Sequence, residues 1–131
     1  MGKYSDLQDA IFSVFGSESW RAENIKTVPC NFASKSIEGE FIRVNILPNT
    51  FGINKASVSG VMIIDIFTSA GEGPQRSSLI ADKLDDFFTN RILGIKLQLG
   101  KSALDFVGVD SDNPTLFRAK YTITFNFFGV E

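Results

Sequence analysis

The residue types that most often carry catalysis are scarce in this sequence, which contains no histidine and one cysteine, Cys30. The lack of histidine excludes Ser-His and Cys-His nucleophile pairs and removes the commonest metal ligand. No predicted helix N-terminus lies beside Cys30 to favour a reactive thiolate, so a packed thiol is the better interpretation. A lone cysteine also excludes an internal disulfide and fits a reducing cytosol.

Two polar segments have residue types that could bind ions. The run Asp110-Ser111-Asp112-Asn113 offers oxygen ligands of the kind that Ca²⁺ prefers. Pro114 comes next in the sequence and breaks the pattern that an EF-hand calcium loop requires. The segment 71–76 lies between a predicted strand and a predicted helix, where phosphates can bind. It lacks both the P-loop ending and the Rossmann glycine spacing. We interpret the first segment as a hairpin loop and the second as a turn that starts a helix.

Three aspartates, Asp82, Asp85 and Asp86, could be read as an acidic cluster. At helical spacing they fall on the solvent-facing side, and a solvated face explains them fully. Paired catalytic carboxylates would need a cleft, of which the sequence gives no sign. The prediction is therefore a protein that is not an enzyme and has no catalytic residue, metal site or cofactor.

The composition narrows the class further. The formal net charge is −2 and the thirteen basic residues are scattered, so no basic stripe for sequence-specific or phosphate-driven nucleic-acid binding is visible. No apolar run approaches the ~20 residues that cross a bilayer, which predicts no membrane association. Thirteen phenylalanines are a heavy load for so short a chain. Because each ring buries a large apolar area, we expect them in the core and in an interface.

The N-terminal part is predicted to begin with one helix. Ser5 to Gln8 has the pattern of a capping box, the residues Leu7, Ile11, Val14 and Phe15 recur at helical spacing, and Gly16 is a natural terminator. Residues 17–39 have no clear period, with Trp20 and Phe32 as apolar anchors and a short strand near Val28 or Phe32 left open.

The central part is predicted as two strands joined by a projecting loop. Residues 40–47 alternate with a period of two, and residues 58–67 are apolar on both faces. Between them, residues 48–57 have turn chemistry but no regular period, and are too many for a tight hairpin. We expect this loop to be an assembly element, although a connection without a role explains it equally well.

The C-terminal part is predicted as a helix followed by strands. The helix starts at Pro74, buries Ile80, Leu84, Phe87 and Phe88, and ends at Gly94. Short strands follow at 95–99 and 104–109. The last strand, 117–127, alternates strictly, with its odd-numbered residues facing the core. Together the elements predict a single α+β domain over residues 1–131, in which two helices pack on one antiparallel or mixed sheet.

Several stretches of this sequence are similar to one family. They are Phe41-Ile42-Arg43-Val44, then Ile64 to Gly73 with its "Ile-Phe-Thr-x-Ala-Gly-x-Gly" run, the helical Ala81-Asp82-Lys83-Leu84 and the strand Tyr121 to Phe125. Over roughly residues 20–128 the chain thereby resembles the bacteriophage tail terminator proteins.

The resemblance implies a non-enzymatic virion protein that forms a ring, usually of six copies, on the end of the tail tube. Such a ring stops tube polymerisation and offers a docking surface to the head. The implied partners are further copies of the chain, the tail tube protein, the head-side neck or connector protein and, in a contractile tail, the sheath protein. The implied location is the virion tail, assembled in the host cytoplasm, with DNA passing through the ring.

Candidate interface residues follow from the loop and the turn. They are Asn49, Phe51, Ile53, Asn54, Lys55, Glu72 and Arg76. The apolar side chains of Phe51 and Ile53 gain no burial in a solvent-exposed loop, and they could anchor on a neighbouring chain. Two alternatives stay open at this stage: another head–tail connector ring protein, and a small-ligand-binding α+β domain, which should be monomeric with an apolar pocket.

Overall fold

A computed structural model describes residues 2–29, 39–71, 74–93, 96–111 and 113–129 of the chain. The described helices are α1 (Lys3–Phe15), α2 (Glu18–Arg21) and α3 (Pro74–Phe88). The described strands are β1 (Thr27–Pro29), β2 (Phe41–Phe51), β3 (Val58–Ser69), β4 (Ile92–Leu93), β5 (Leu97–Val109) and β6 (Leu116–Phe127).

The strands form one mixed sheet in the order β1-β2-β3-β6-β5-β4. β1 runs parallel to β2, and the other neighbours are antiparallel. This confirms the α+β class with a single sheet. The two predicted helices are α1 and α3, to which the short α2 adds one turn. The strand anticipated near Val28 is β1, whereas Phe32 and Cys30 lie outside the described residues.

Helix α1 begins earlier than the sequence pattern predicted. Its N-cap is Gly2, and no side chain caps it, so the predicted capping box of Ser5 and Gln8 is wrong. Both residues lie inside the helix, because Lys3 and Tyr4 already adopt helical geometry and a capping residue must lie outside it. The predicted buried stripe and the terminator Gly16 are confirmed.

Helix α3 starts at Pro74 and buries Ile80, Leu84 and Phe88, as predicted. The prediction that it ends at Gly94 is wrong, because the helix stops at Phe88. Asn90 takes the left-handed conformation with φ 56°, a role that asparagine can fill in place of glycine after a helix. Gly94 itself lies outside the described residues.

The β2–β3 connection is shorter than the predicted loop of residues 48–57. β2 continues to Phe51, which pairs with Val58, and only residues 52–57 connect the strands. The sequence pattern did not show this continuation, because the register shifts between Leu47 and Thr50. An extra residue in β2 interrupts the period of two there. Gly60 lies beside this irregularity, where a Cβ would come 2.0 Å from the carbonyl oxygen of Leu47.

The two short strands predicted at 95–99 and 104–109 form one strand, β5, with register shifts at Leu99/Ser102 and Phe106/Gly108. The irregularity at Leu99/Ser102 interrupts the alternation, which is why the sequence pattern separated them. The predicted hairpin between β5 and β6 is confirmed. Its loop is held by the Asp110 carboxylate, which accepts a hydrogen bond from the backbone N–H of Asn113 at 3.1 Å.

The core lies between the helices and one face of the sheet. Alternate residues of β6, from Ala119 to Phe127, are buried against it, which confirms the predicted face of this strand. Aromatic rings join the layers: Trp20 lies 5.2 Å from Phe15 and 5.1 Å from Phe87 between ring centroids. No described helix is long and apolar enough to cross a membrane.

The sheet has two distinct ends, which position the surfaces discussed below. At the β2–β3 hairpin end lie residues 51–58, the start of α1 and the start of β5. At the β5–β6 hairpin end lie residues 106–111 and 113–116, the end of β3 and the start of α3. The two ends are about 36 Å apart, because the 12 residues of β3 are separated by eleven steps and a strand rises about 3.3 Å per step.

Candidate functional site

Two of the predicted interface residues expose large apolar side chains at the β2–β3 hairpin end. Phe51 is 98% exposed and Ile53 is 78% exposed. Asn49 is exposed beside them. Phe51 belongs to β2 and not to a loop, so its ring is presented by a paired strand whose position the sheet fixes. A rigid platform lowers the entropy lost when such a side chain is buried by a partner.

The connection between the two strands is tied down by Asn54 and Ser57. The Asn54 side-chain oxygen accepts hydrogen bonds from the Ala56 N–H and the Ser57 hydroxyl, both at 2.9 Å. The Asn54 amide donates to the carbonyl of Gly129 at 3.3 Å, and the Gly129 N–H donates to Ser57 Oγ at 2.9 Å. Asn54 therefore has a structural role within the hairpin, and its contact with a partner stays a prediction.

Lys55 joins the hairpin to α1. Its carbonyl accepts a hydrogen bond from Lys3 Nζ at 3.0 Å, while its own side chain points to the surface and is exposed. Between α1 and the hairpin lies an open depression of about 290 Å³, whose walls include Tyr4 and Phe51. We define the tip surface as Tyr4, Phe51 and Ile53, the exposed apolar residues of α1 and the β2–β3 hairpin at this end.

Arg76 does not lie with the other described interface residues of the prediction. Arg76 sits at the start of α3, at the opposite end of the sheet, and pairs with Glu40 before β2. Its Nη2 is 2.7 Å from Glu40 Oε1, and its Nε donates to both carboxylate oxygens at 2.9 and 3.0 Å. Glu72 lies outside the described residues. The six described residues of the predicted seven thus do not form one continuous surface.

A second exposed apolar surface lies at the β5–β6 hairpin end, and the sequence analysis did not identify it. Phe106 is 50% exposed, Val107 55% and Val109 59%. We call these three residues the β5 patch. The Phe106 ring lies 6.2 Å from that of Phe117 on the neighbouring strand. In a strand, successive residues face opposite sides, so the consecutive apolar residues Phe106 and Val107 break the apolar–polar alternation. This break was the signal in the sequence that one apolar residue faces outwards.

The outer edge of β5 is also open beside the β5 patch. Among the described strands, only β4 pairs with this edge, at Leu97 and Gln98. The segment before β4 covers the next two residues, since the Leu99 N–H donates to the Arg91 carbonyl and the Gly100 carbonyl accepts from the Asn90 N–H. From Lys101 onwards no described strand pairs with this edge, and its backbone groups could pair with another chain, which is a recognised route to association.

On the sheet face without helices, a charged cluster crosses three strands. Asp65 on β3 accepts from Arg43 on β2 through Oδ2, with Nη2 at 3.1 Å, and from Arg118 on β6 through Oδ1, with Nη2 at 2.8 Å. The Arg43 guanidinium lies 5.0 Å from the centre of the Phe67 ring, which stacks on Phe41. Each carboxylate oxygen serves one arginine, so the cluster fixes the register of three strands.

Asp85 does not lie on the solvent-facing side of its helix, which corrects that part of the sequence prediction. Its Oδ1 accepts hydrogen bonds from Ser102 Oγ at 2.5 Å, Tyr121 Oη at 2.6 Å and Thr89 Oγ1 at 2.7 Å. The exposed neighbours Asp82 and Asp86 do follow the prediction. The Asp85 side chain therefore joins α3 to β5 and β6.

The electrostatics of this cluster follow from its geometry. Burial by itself raises the pKa of Asp85, but the three hydroxyl donors outweigh it and hold the pKa below the ordinary value. Burial, followed by the hydrogen bond to Asp85, raises the pKa of Tyr121 to about 12. Asp85 is thus a carboxylate and Tyr121 a phenol near neutral pH, and all three hydroxyls are engaged in holding the layers together.

Metal chemistry finds no support in the described part of the chain. Among those residues no group of three or more His, Cys, Asp or Glu side chains is placed to hold a metal ion.

Comparison with known proteins identifies a fold but no family. No protein-family model matches the chain, and no curated protein matches it in sequence. One solved structure superposes with a TM-score of 0.60, covering 95% of this chain and 97% of its own length, at 14% sequence identity. The name of that structure states no function. At this identity the likeness shows a shared fold alone, and it extends over nearly the whole of both chains.

Proposed function

We propose that this protein is a structural subunit of a bacteriophage tail. Copies of the chain close into a ring of six that caps the tail tube, stops its polymerisation and offers a docking surface to the neck of the head. The protein acts by packing against other chains and catalyses no reaction. The observation that carries the proposal is the resemblance to tail terminators, combined with large apolar side chains exposed at both ends of a rigid sheet.

The stretches that carry the resemblance support it by their positions. Phe41 to Val44 pairs with Ile64 to Phe67, and Tyr121 pairs with Ile64 on the other side. Stretches far apart in the sequence therefore meet in the middle of the sheet. The "Ile-Phe-Thr-x-Ala-Gly-x-Gly" run leads from the end of β3 towards α3, and its Gly71 has φ 97°, a conformation that favours glycine.

The exposed apolar residues favour a protein partner over solvent. Phe51 is almost wholly exposed, and burying a Phe side chain contributes roughly 1.5–3 kcal/mol. Aromatic anchors of this kind often carry much of the binding energy at protein interfaces. The alternative of a small-ligand domain finds less support, because the depression beside the hairpin is open, whereas ligand pockets enclose most of their ligand.

The proposal is tested by capping of tail tubes. Tubes would be polymerised from their purified tube protein with and without this chain, and their lengths measured by electron microscopy. We expect the chain to bind at one tube end as a ring and to halt growth there. Tubes that keep growing, or ends without ring density, would contradict the proposal.

The tip surface gives a matched pair of variants for the same assay. Phe51→Ser with Ile53→Ser removes two exposed apolar side chains from the hairpin, and should abolish capping while leaving the fold intact. The control variant, Ile92→Ser, removes one exposed apolar side chain from the short edge strand β4. This control should cap like the unaltered chain.

A further inference from the structure

Residues 128–129 follow β6 and lie against the connection between β2 and β3. The Gly129 N–H donates a hydrogen bond to Ser57 Oγ at 2.9 Å, and the Gly129 carbonyl accepts one from the Asn54 side-chain amide at 3.3 Å. Both partners belong to the connection that also carries Ile53 of the tip surface. We call these two hydrogen bonds the Gly129 contact.

Glycine at position 129 allows the two backbone segments to approach this closely. A Cβ on Gly129 would overlap the carbonyl oxygen of Ala56, so a larger residue could not lie there without moving the connection. Within the connection, a Cβ on Gly52 would come 2.5 Å from the carbonyl carbon of Ser57. Ser57 itself is only 2% exposed, so its hydroxyl relies on partners within the protein. The Gly129 contact therefore fixes the connection by shape as well as by hydrogen bonds.

We infer that Gly129 is a positioning residue of the tip surface, which holds Ile53 in one place before a partner binds. Ile53 lies between Gly52 and Asn54, whose positions these contacts fix, while its own side chain is exposed. An apolar side chain on a fixed backbone loses less conformational entropy on binding than one on a mobile loop. The inference rests on the proposed function in taking the tip surface to be the place where a partner binds.

The side of the Gly129 contact that belongs to the sheet is firmly held. β6 pairs with β3 on one side and β5 on the other, and the Phe128 N–H donates to the Lys96 carbonyl at 2.7 Å, directly before β5. The connection has weaker support, since its link to α1, from Lys3 Nζ to the Lys55 carbonyl, is exposed to water. Loss of the Gly129 contact should therefore open the connection locally and leave the sheet paired.

The experiment compares two variants that break the contact from opposite sides. Gly129→Ala adds the Cβ that does not fit, and Ser57→Ala removes the hydroxyl that accepts from residue 129. The matched control is Gly16→Ala, where the nearest atom to an added Cβ is at an ordinary 3.5 Å. Amide hydrogen exchange, followed by NMR, would report on the connection through the N–H groups of Ala56 and Ser57, which both donate to Asn54.

We expect these two amides to exchange roughly tenfold faster in both variants, with the central strands as protected as in the unaltered chain and in the control. In the tube assay, both variants should need roughly tenfold more protein for half-maximal capping, a factor close to the cost of ordering the backbone of one residue.

Three results would overturn the inference: unchanged exchange of the two amides, faster exchange throughout the sheet, or faster local exchange with unchanged capping. The first two would leave the proposed function standing. If the unaltered chain does not cap tubes, the proposed function is wrong, whereas faster exchange confined to the connection would still support the positioning role of Gly129.

Discussion

Replacing Asp85 tests how the helical layer is held to the sheet. Asp85→Asn removes the negative charge that three hydroxyl donors share, at 2.5, 2.6 and 2.7 Å, but keeps an oxygen that can accept some of them. Hydrogen bonds to charged groups contribute roughly 1.5–3 kcal/mol each. Because one oxygen accepts all three and the site is only half-buried, we expect a loss of about 2 kcal/mol in the free energy of unfolding at pH 7. Asp85→Ala should lose about 3 kcal/mol, since no acceptor remains.

The pH dependence of this loss has a definite sign. The pKa of Asp85 is lower in the folded chain than its ordinary value, so the carboxylate stabilises the fold above that ordinary value. The contribution is lost as the pH falls through the folded pKa, when the folded carboxylate becomes protonated. Asparagine does not titrate. The difference between the unaltered chain and Asp85→Asn should therefore be full at pH 7 and shrink as the pH falls below about 4.

Urea denaturation at a series of pH values measures both effects. Asp82→Asn is the matched control, because Asp82 lies on the same helix with its side chain exposed, and it should change the stability by less than about 0.5 kcal/mol. Equal losses for the two variants would refute the structural role of Asp85. A loss for Asp85→Asn that is the same at pH 7 and pH 3 would refute the electrostatic part of the argument.

Four further substitutions test the sheet. Ile123→Asp should prevent folding, because an unpaired carboxylate in the core costs several kcal/mol. The control Thr124→Asp, on the exposed face of the same strand, should keep a thermal melt close to that of the unaltered chain. Similar losses of stability for the two variants would contradict the register of β6. Asp65→Asn should lower the free energy of unfolding by about 3 kcal/mol, measured by urea denaturation, since it removes the carboxylate that Arg43 and Arg118 share. An unchanged free energy of unfolding would show that the cluster does not stabilise the fold. Gly60→Ala should lower the melting temperature, because its Cβ would come 2.0 Å from a backbone oxygen; a melt that matches the unaltered chain would mean that the strands there move apart without cost.

The candidate surfaces were only partly predictable. The sequence singled out two of the three residues of the tip surface, since Phe51 and Ile53 stand out as apolar residues in a polar, glycine-containing segment, but it did not identify Tyr4. It placed Phe51 in a loop, because the irregularity between Leu47 and Thr50 hides the continuation of β2. The β5 patch was missed because apolar residues in a predicted strand are normally assigned to the core. Whether such a residue is covered depends on how far α3 extends over the sheet.

The sequence by itself determined the two longer helices, the central strands and the buried faces of these elements. Backbone sterics and hydrophobic periodicity act over a few residues, so the alternation of β6 and the helical stripe of α3 could be read directly. Only the tertiary structure decided which polar groups meet. Asp65 and Arg118 are 53 residues apart, and Asp85 and Tyr121 are 36 apart. No local pattern links such pairs, because their contact depends on the order and register of the strands, which the packing of the whole sheet sets.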